Sequence, residues 1–267
     1  MSRPTSVVAA VLGAGVALAL AGCAAAGPAP ADSGGTAGQG SVAAGGKVSG
    51  TLTVLAAASL TESFDAIKAQ LERANPGLTV RISYGSSATL VQQANQGAPA
   101  DVIALAGEAA AKPLDRALVR SSAVFAQNSL EIAVPPDNPG HITGIADLAK
   151  PSLKVVLCET TVPCGKAAAT TLEKAGVNAH VVSRELDVKA TLAKVSLGEA
   201  DAAIVYHSDV VAAKGAVKGI PIPADVNTVL RYPIIRLDDN PAGQAFVNTV
   251  LSPAGRTTLD KLGFVAP

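Results

Sequence analysis

Between Thr51 and Leu105 the hydrophobic period of the chain changes four times, and this alternation restricts the fold more than any other sequence feature. Thr51 to Leu55 (TLTVL) is a short run of β-branched and apolar residues, the composition of a buried strand. Leu60, Phe64, Ile67 and Leu71 then recur at spacings of four, three and four, which puts them on one face of a helix. Ser59 or Thr61 can cap its start, and Asn75-Pro76-Gly77 stops it. Leu78 to Tyr84 (LTVRISY) alternates as a strand, and Gly85-Ser86-Ser87 breaks it. Ala88 to Gln96 resumes a helix that Gly97 ends, and Asp101 to Leu105 (DVIAL) is a third strand. A β-α-β-α-β order needs crossovers between parallel strands, so the spacing predicts an α/β sheet covered by helices.

A second series follows. Leu130 to Val134, Leu153 to Leu157, His180 to Ser183 and Ala202 to Tyr206 read as strands, with helices over Gly165 to Ala175 and Val188 to Leu197. Val229 to Leu237 is extended, and Pro241 to Leu262 holds two short helices divided at Ser252-Pro253. Two βα-rich halves predict two lobes with a cleft between them, the chain crossing near Ala133-Val134 and near Tyr232-Pro233. A single doubly wound domain is the alternative. Ligands of open α/β sheets sit beyond the carboxyl ends of the strands, where helices begin.

The N-terminus carries export information. Arg3 precedes an apolar stretch from Val7 to Leu20 that ends in Leu20-Ala21-Gly22-Cys23. A run this short behind a basic residue is a secretory signal rather than a membrane span. LAGC resembles the lipobox of bacterial lipoproteins, in which the cysteine becomes the lipidated first residue; the alternative is an ordinary signal with an incidental Cys23. Residues 24 to 47 are almost wholly Ala, Gly, Pro, Ser and Thr, which reads as a flexible tether. We therefore expect a signal peptide over 1–22, a lipidated Cys23 with its linker over 23–50, and a folded part from residue 51 held at the outer face of the cell membrane.

Composition narrows the function. The chain has 21 Lys+Arg against 21 Asp+Glu and no polybasic run, so nothing in its charge suggests nucleic acid. Trp is absent and aromatics are 3%, which leaves little for base stacking or for the aromatic shelves of sugar sites. His141, His180 and His207 are scattered, without ligand spacing. Apart from Cys23, the cysteines are Cys158 and Cys164; outside the cytoplasm such a pair forms a disulfide, with free thiols or half a metal site as alternatives.

Strand-to-helix junctions hold the candidate chemistry. Ser59 follows the first strand and Ser86-Ser87 the second. A helix N-terminus offers unpaired N–H groups and partial positive charge, which favour an anion, and a serine there can add its hydroxyl. The alternative is that each serine caps its own helix. Val162-Pro163-Cys164-Gly165 and Asp187-Val188 open two later helices, and Tyr206 ends the strand AAIVY as a donor or as a packed residue.

AAASLTESF, SYGSSATLVQQ, GAPADV, NSLEIAVP, VPCGKAA, LDVKATLAKVSLGEADAAIVYHSDV and RYPI, in that order, resemble the periplasmic molybdate-binding proteins of ABC importers over residues 51 to 267. The resemblance implies a two-lobed periplasmic-binding-protein fold, each lobe a mostly parallel sheet flanked by helices, with the ligand in the cleft. Lobe 1 would comprise residues 51–132 plus 234–267 and lobe 2 residues 133–233. It further implies an oxyanion held by the hydroxyls of Ser59, Ser87 (or its neighbour Ser86) and Tyr206 and by the backbone N–H groups of Cys164 and Val188. Molybdenum enters only as molybdate, with tungstate as its analogue. The implied protein is not an enzyme, needs no cofactor, works as a monomer, and delivers its ligand to a membrane permease and its ATPase. Cys164 departs from the small residue, such as Ala, usual at that position, though a backbone donor survives the change.

An array of donors without an acceptor suits a fully deprotonated oxyanion. Rival readings are a receptor for sulfate, phosphate or an iron chelate, a hydrolytic enzyme, and a lipoprotein without a transport role. YGSSAT lacks the second glycine of G-x-S-x-G, and GKAAATT has Thr160 where a phosphate loop needs glycine.

Overall fold

The structure, a computed structural model, describes residues 47–267; the expected signal peptide, Cys23 and most of the linker lie outside the described residues. Strand β1 (Gly50–Ala57) pairs in parallel with β2 (Leu78–Gly85) on one side and β3 (Val102–Ala104) on the other. The crossovers are α1 (Thr61–Ala74), which buries Phe64, Ile67 and Leu71, and α2 (Ser87–Asn95), which buries Leu90, Val91 and Ala94. A one-turn helix, α3 (Glu108–Ala111), follows β3.

The second half repeats this plan. Strand β5 (Val155–Cys158) lies parallel to β6 (Val181–Glu185) and β7 (Ala202–Tyr206). Helices α4 (Pro163–Lys174) and α5 (Val188–Ser196) make its crossovers, and α6 (His207–Ala212) follows β7. Each half is thus a parallel triplet. The triplets are joined by two antiparallel strands, the 14-residue β4 (Ser121–Val134) and β9 (Val229–Arg236).

Nine strands run in the order β2-β1-β3-β9-β4-β7-β5-β6, with β8 (Lys218–Pro221) added on β4. Strand β4 pairs with β9 from Ser121 to Ser129 and with β7 from Leu130 onward, so one strand belongs to both halves. Helices α7 (Pro241–Leu251) and α8 (Pro253–Asp260) return to pack on α1. The sheet is therefore mixed, with parallel cores and antiparallel joints.

The segments that sequence periodicity leaves unassigned share a cause. Residues 121–129 (SSAVFAQNS) neither alternate nor form an apolar run, and only pairing with β9 makes them a strand. Strand β8 contributes a single buried side chain, Ile220, and α6 is only six residues long.

Few aromatic residues do much of the packing. Phe64 meets Phe246 edge-on at 5.3 Å and Phe125 at 5.8 Å, and Phe125 meets Tyr232 edge-on at 6.3 Å. Phe264 meets Tyr232 edge-on at 5.5 Å, and Tyr206 meets it edge-on at 6.1 Å. Edge-to-face pairs at these distances add about 0.5–1.5 kcal/mol each beyond area burial. This chain of rings clamps Tyr232 between the core and the carboxyl end of β7.

Candidate functional site

Five helical segments begin around one point. The 3-10 turn Ala58–Leu60 that leads into α1, and the starts of α2, α4, α5 and α6, all contribute to the lining of a cavity of about 20 Å³. Ser59, Ser87, Cys164, Val188 and Tyr206 all line it, and Ser86 does too. Residues spread over 147 positions of sequence meet there because each ends a strand or opens a helix at the same edge of the sheet.

Ser86 and Ser87 divide their work. Ser86 Oγ accepts the N–H of Thr89 at 3.2 Å, capping α2, and is paired with Thr89 Oγ1 at 2.8 Å. Ser87, 1% exposed, accepts the Ala106 N–H at 2.9 Å. Ser59, 4% exposed, lies 3.1 Å from the hydroxyl of Tyr232. Tyr206 is buried, and its Oη has no hydrogen-bond partner among the described residues. Its ring meets that of Tyr232 edge-on, with centroids 6.1 Å apart. Burial first, and then the neighbouring Tyr232 and Asp209, push the Tyr206 pKa well above that of a free phenol, so it keeps its proton.

The loop before α4 is fixed twice. Cys158, the last residue of β5, is bonded to Cys164 in the first turn of α4. Gly165 packs so closely on the returning loop that a Cβ there would overlap the carbonyl of Glu159. Pro163 occupies the first turn, where its missing N–H costs nothing. The N–H groups that open α4, like those that open α5, have no partner within their own helix.

Among the described residues, no Lys or Arg side chain lines the cavity. The carboxylate that does, Asp187, is occupied in capping α5, its Oδ1 accepting the Ala190 N–H at 2.9 Å. Positive potential must then come from converging helix N-termini, and hydrogen bonds from N–H and O–H donors. Lys189 follows the lining residue Val188 in sequence. Lys189 lies 2.8 Å from Glu62 and 3.2 Å from Asp209. Asp209, fully buried, is raised by burial to about 6, against the pull of Lys189. A larger cleft of about 740 Å³ adjoins, lined by the flanks of α2 and α4, by Gly107 to Ala110 and by Thr228 to Arg231. It shares only Ala106 and Pro163 with the small cavity, and Ser59, Ser87, Cys164, Val188 and Tyr206 are not among its lining residues.

His141, His180 and His207 stay apart, and among the described residues no group of three His, Cys, Asp or Glu side chains could hold a metal ion. Tyr232 and Asn128, which stand behind Ser59, were not legible as site residues from spacing. The available signal was that a chain with only three tyrosines keeps one in RYPI.

A two-part α/β fold that gathers helix N-termini around a small cavity is the architecture of a receptor for a small solute. The chain belongs to the family of bacterial extracellular solute-binding proteins, which matches residues 52–265. It is 38% identical over 222 residues to the molybdate-binding protein ModA of Mycobacterium tuberculosis, covering 81% of this chain and 85% of that one. Among solved structures, the substrate-binding domain of a putative molybdenum ABC transporter from Clostridium difficile superposes with a TM-score of 0.63 at 28% identity, covering 81% of this chain and 99% of the other. The periplasmic molybdate-binding protein of Azotobacter vinelandii shares the fold, with a TM-score of 0.72 at 19% identity over 81% of this chain and 99% of that one.

Proposed function

We propose that the protein captures molybdate, or its analogue tungstate, outside the cytoplasm and hands it to an ABC importer composed of a membrane permease and its ATPase. The observation that carries this reading is the Tyr206 hydroxyl, buried at the cavity with no hydrogen-bond partner among the described residues. An orphaned buried hydroxyl costs about 1–3 kcal/mol, which an anion accepting from it would return. Around it, Ser59 and Ser87 would add hydroxyl donors, and Cys164 and Val188 would add backbone donors. The similarity to molybdate-binding proteins supports the choice of ligand.

The array works by charge-assisted hydrogen bonds, each about twice as strong as a neutral one, with helix N-termini supplying the field. Closure brings the lobes, residues 51–132 with 234–267 and residues 133–233, together over the anion. Strand β4 changes partner between Ser129 and Leu130, close to the proposed crossing. No chemical step and no cofactor enters this reading. A lipid on Cys23 would keep the receptor beside its permease, and mass spectrometry of the N-terminal peptide from cells tests that part separately.

Calorimetry with molybdate, tungstate, sulfate and phosphate tests the ligand. Tight binding of molybdate and tungstate, with sulfate and phosphate weaker, is the expected result. Failure of both molybdate and tungstate to bind would overturn it.

A further inference from the structure

We infer that Tyr232 is a positioning residue whose hydroxyl donates to Ser59 and thereby sets Ser59 as a donor toward the cavity. This rests on the oxyanion reading above and deepens it to the level of proton direction.

The direction follows from Asn128, which is 1% exposed. Its Oδ1 accepts the backbone N–H of Ser208 at 3.4 Å, which assigns the amide orientation. Nδ2 then faces Ser208 Oγ at 2.8 Å and Tyr232 Oη at 3.4 Å. An amide nitrogen only donates, so the Tyr232 oxygen accepts there and its proton must go elsewhere. Ser59 Oγ, 3.1 Å away, is the acceptor in hydrogen-bond contact. Tyr232 is fully buried, and burial holds its pKa well above the ordinary phenol value, so the proton stays in place. With that bond received, the Ser59 proton has the cavity as its outlet.

Ser87 is set in the same sense by different means, since the N–H behind it belongs to Ala106 and cannot reverse. The two serines thus both present O–H, one fixed by main chain and one by the relay Asn128 to Tyr232 to Ser59. Hydrogen bonds in such a chain polarise one another, which makes Ser59 a stronger donor and a poorer acceptor. The relay therefore favours a ligand oxygen that carries no proton over one that does.

The test is a double-mutant cycle read by calorimetry, with thermal unfolding confirming that each variant is folded. Tyr232→Phe should weaken molybdate binding about tenfold, and should narrow the ratio of molybdate to phosphate affinity. In a Ser59→Ala background the same change should cost almost nothing, because its effect passes through the Ser59 oxygen. Asn128→Ala, one step further back, should show the same dependence on Ser59 and serves where Tyr232→Phe folds poorly. An equal loss with and without Ser59, or an unchanged molybdate-to-phosphate ratio, would overturn the relay. A wild-type protein that binds neither molybdate nor tungstate would instead overturn the ligand reading, and the relay with it.

Discussion

Lys189 on α5 places its ammonium 2.8 Å from both carboxylate oxygens of Glu62 on α1, 127 positions earlier, and 3.2 Å from the buried Asp209. The two carboxylates are not equivalent. Glu62 is 39% exposed at its side chain and Asp209 is 0% exposed. Solvent screens the first pair and not the second.

Removing Lys189 should therefore cost far more than removing Glu62. Lys189→Met leaves Asp209 buried and unpaired, and should destabilise by about 3–5 kcal/mol. Glu62→Gln should cost under about 1 kcal/mol. Denaturant unfolding of both variants checks the ordering, and equal losses would contradict it.

Asp209 also predicts a pH dependence. Its folded pKa, about 6, lies above the ordinary 3.8, so the folded state holds this proton more tightly than the unfolded chain. The associated stability is complete below about pH 4 and is lost as pH rises through about 6. Asp209→Asn removes the titration. Melting temperatures taken from pH 4 to pH 7 should show the wild type losing ground to this variant across that window.

Tyr206→Phe should act in opposite directions on stability and binding. It deletes a buried hydroxyl without a partner, so the empty protein should be equally stable or up to about 1 kcal/mol more stable. Molybdate affinity should fall roughly 10- to 100-fold, as expected for one charge-assisted hydrogen bond. Combined with Ser59→Ala, binding should weaken further while the circular dichroism spectrum stays native. Thermal shift and calorimetry on the same preparations separate the two effects.

The Cys158–Cys164 bond closes a short loop at the cavity. Loop entropy at this length gives about 2 kcal/mol of stabilisation, so a Cys158→Ser/Cys164→Ser variant should melt roughly 5 °C lower. Because Gly165 still packs under Glu159, molybdate should continue to bind. Scanning calorimetry with and without reductant gives the first number, and titration gives the second.

Local sequence determined a large part of this protein. The apolar periods of α1 and β1 and the stops at Asn75-Pro76-Gly77 and Gly97 act over one or two turns and read correctly from neighbours alone, whereas neither Ser59 nor Thr61 caps α1, the Thr61 hydroxyl donating instead to the Ala58 carbonyl. These periods and stops also locate the strand ends and helix starts at which Ser59, Ser87, Cys164, Val188 and Tyr206 stand, while the choice of these five as anion contacts comes from the resemblance to molybdate-binding proteins. What required the tertiary structure depends on pairs far apart in the chain. Residues 121–129 become a strand only against β9. Ser86 and Ser87 are chemically alike and both line the cavity, and only the Ala106 N–H, 19 residues beyond Ser87, distinguishes the serine it bonds from the one that caps α2. Tyr232 meets Ser59 across 173 residues, and Asn128 meets Ser208 across 80. Hydrogen-bond direction at a buried hydroxyl is decided by which donors and acceptors surround it, and only the folded chain brings those groups together.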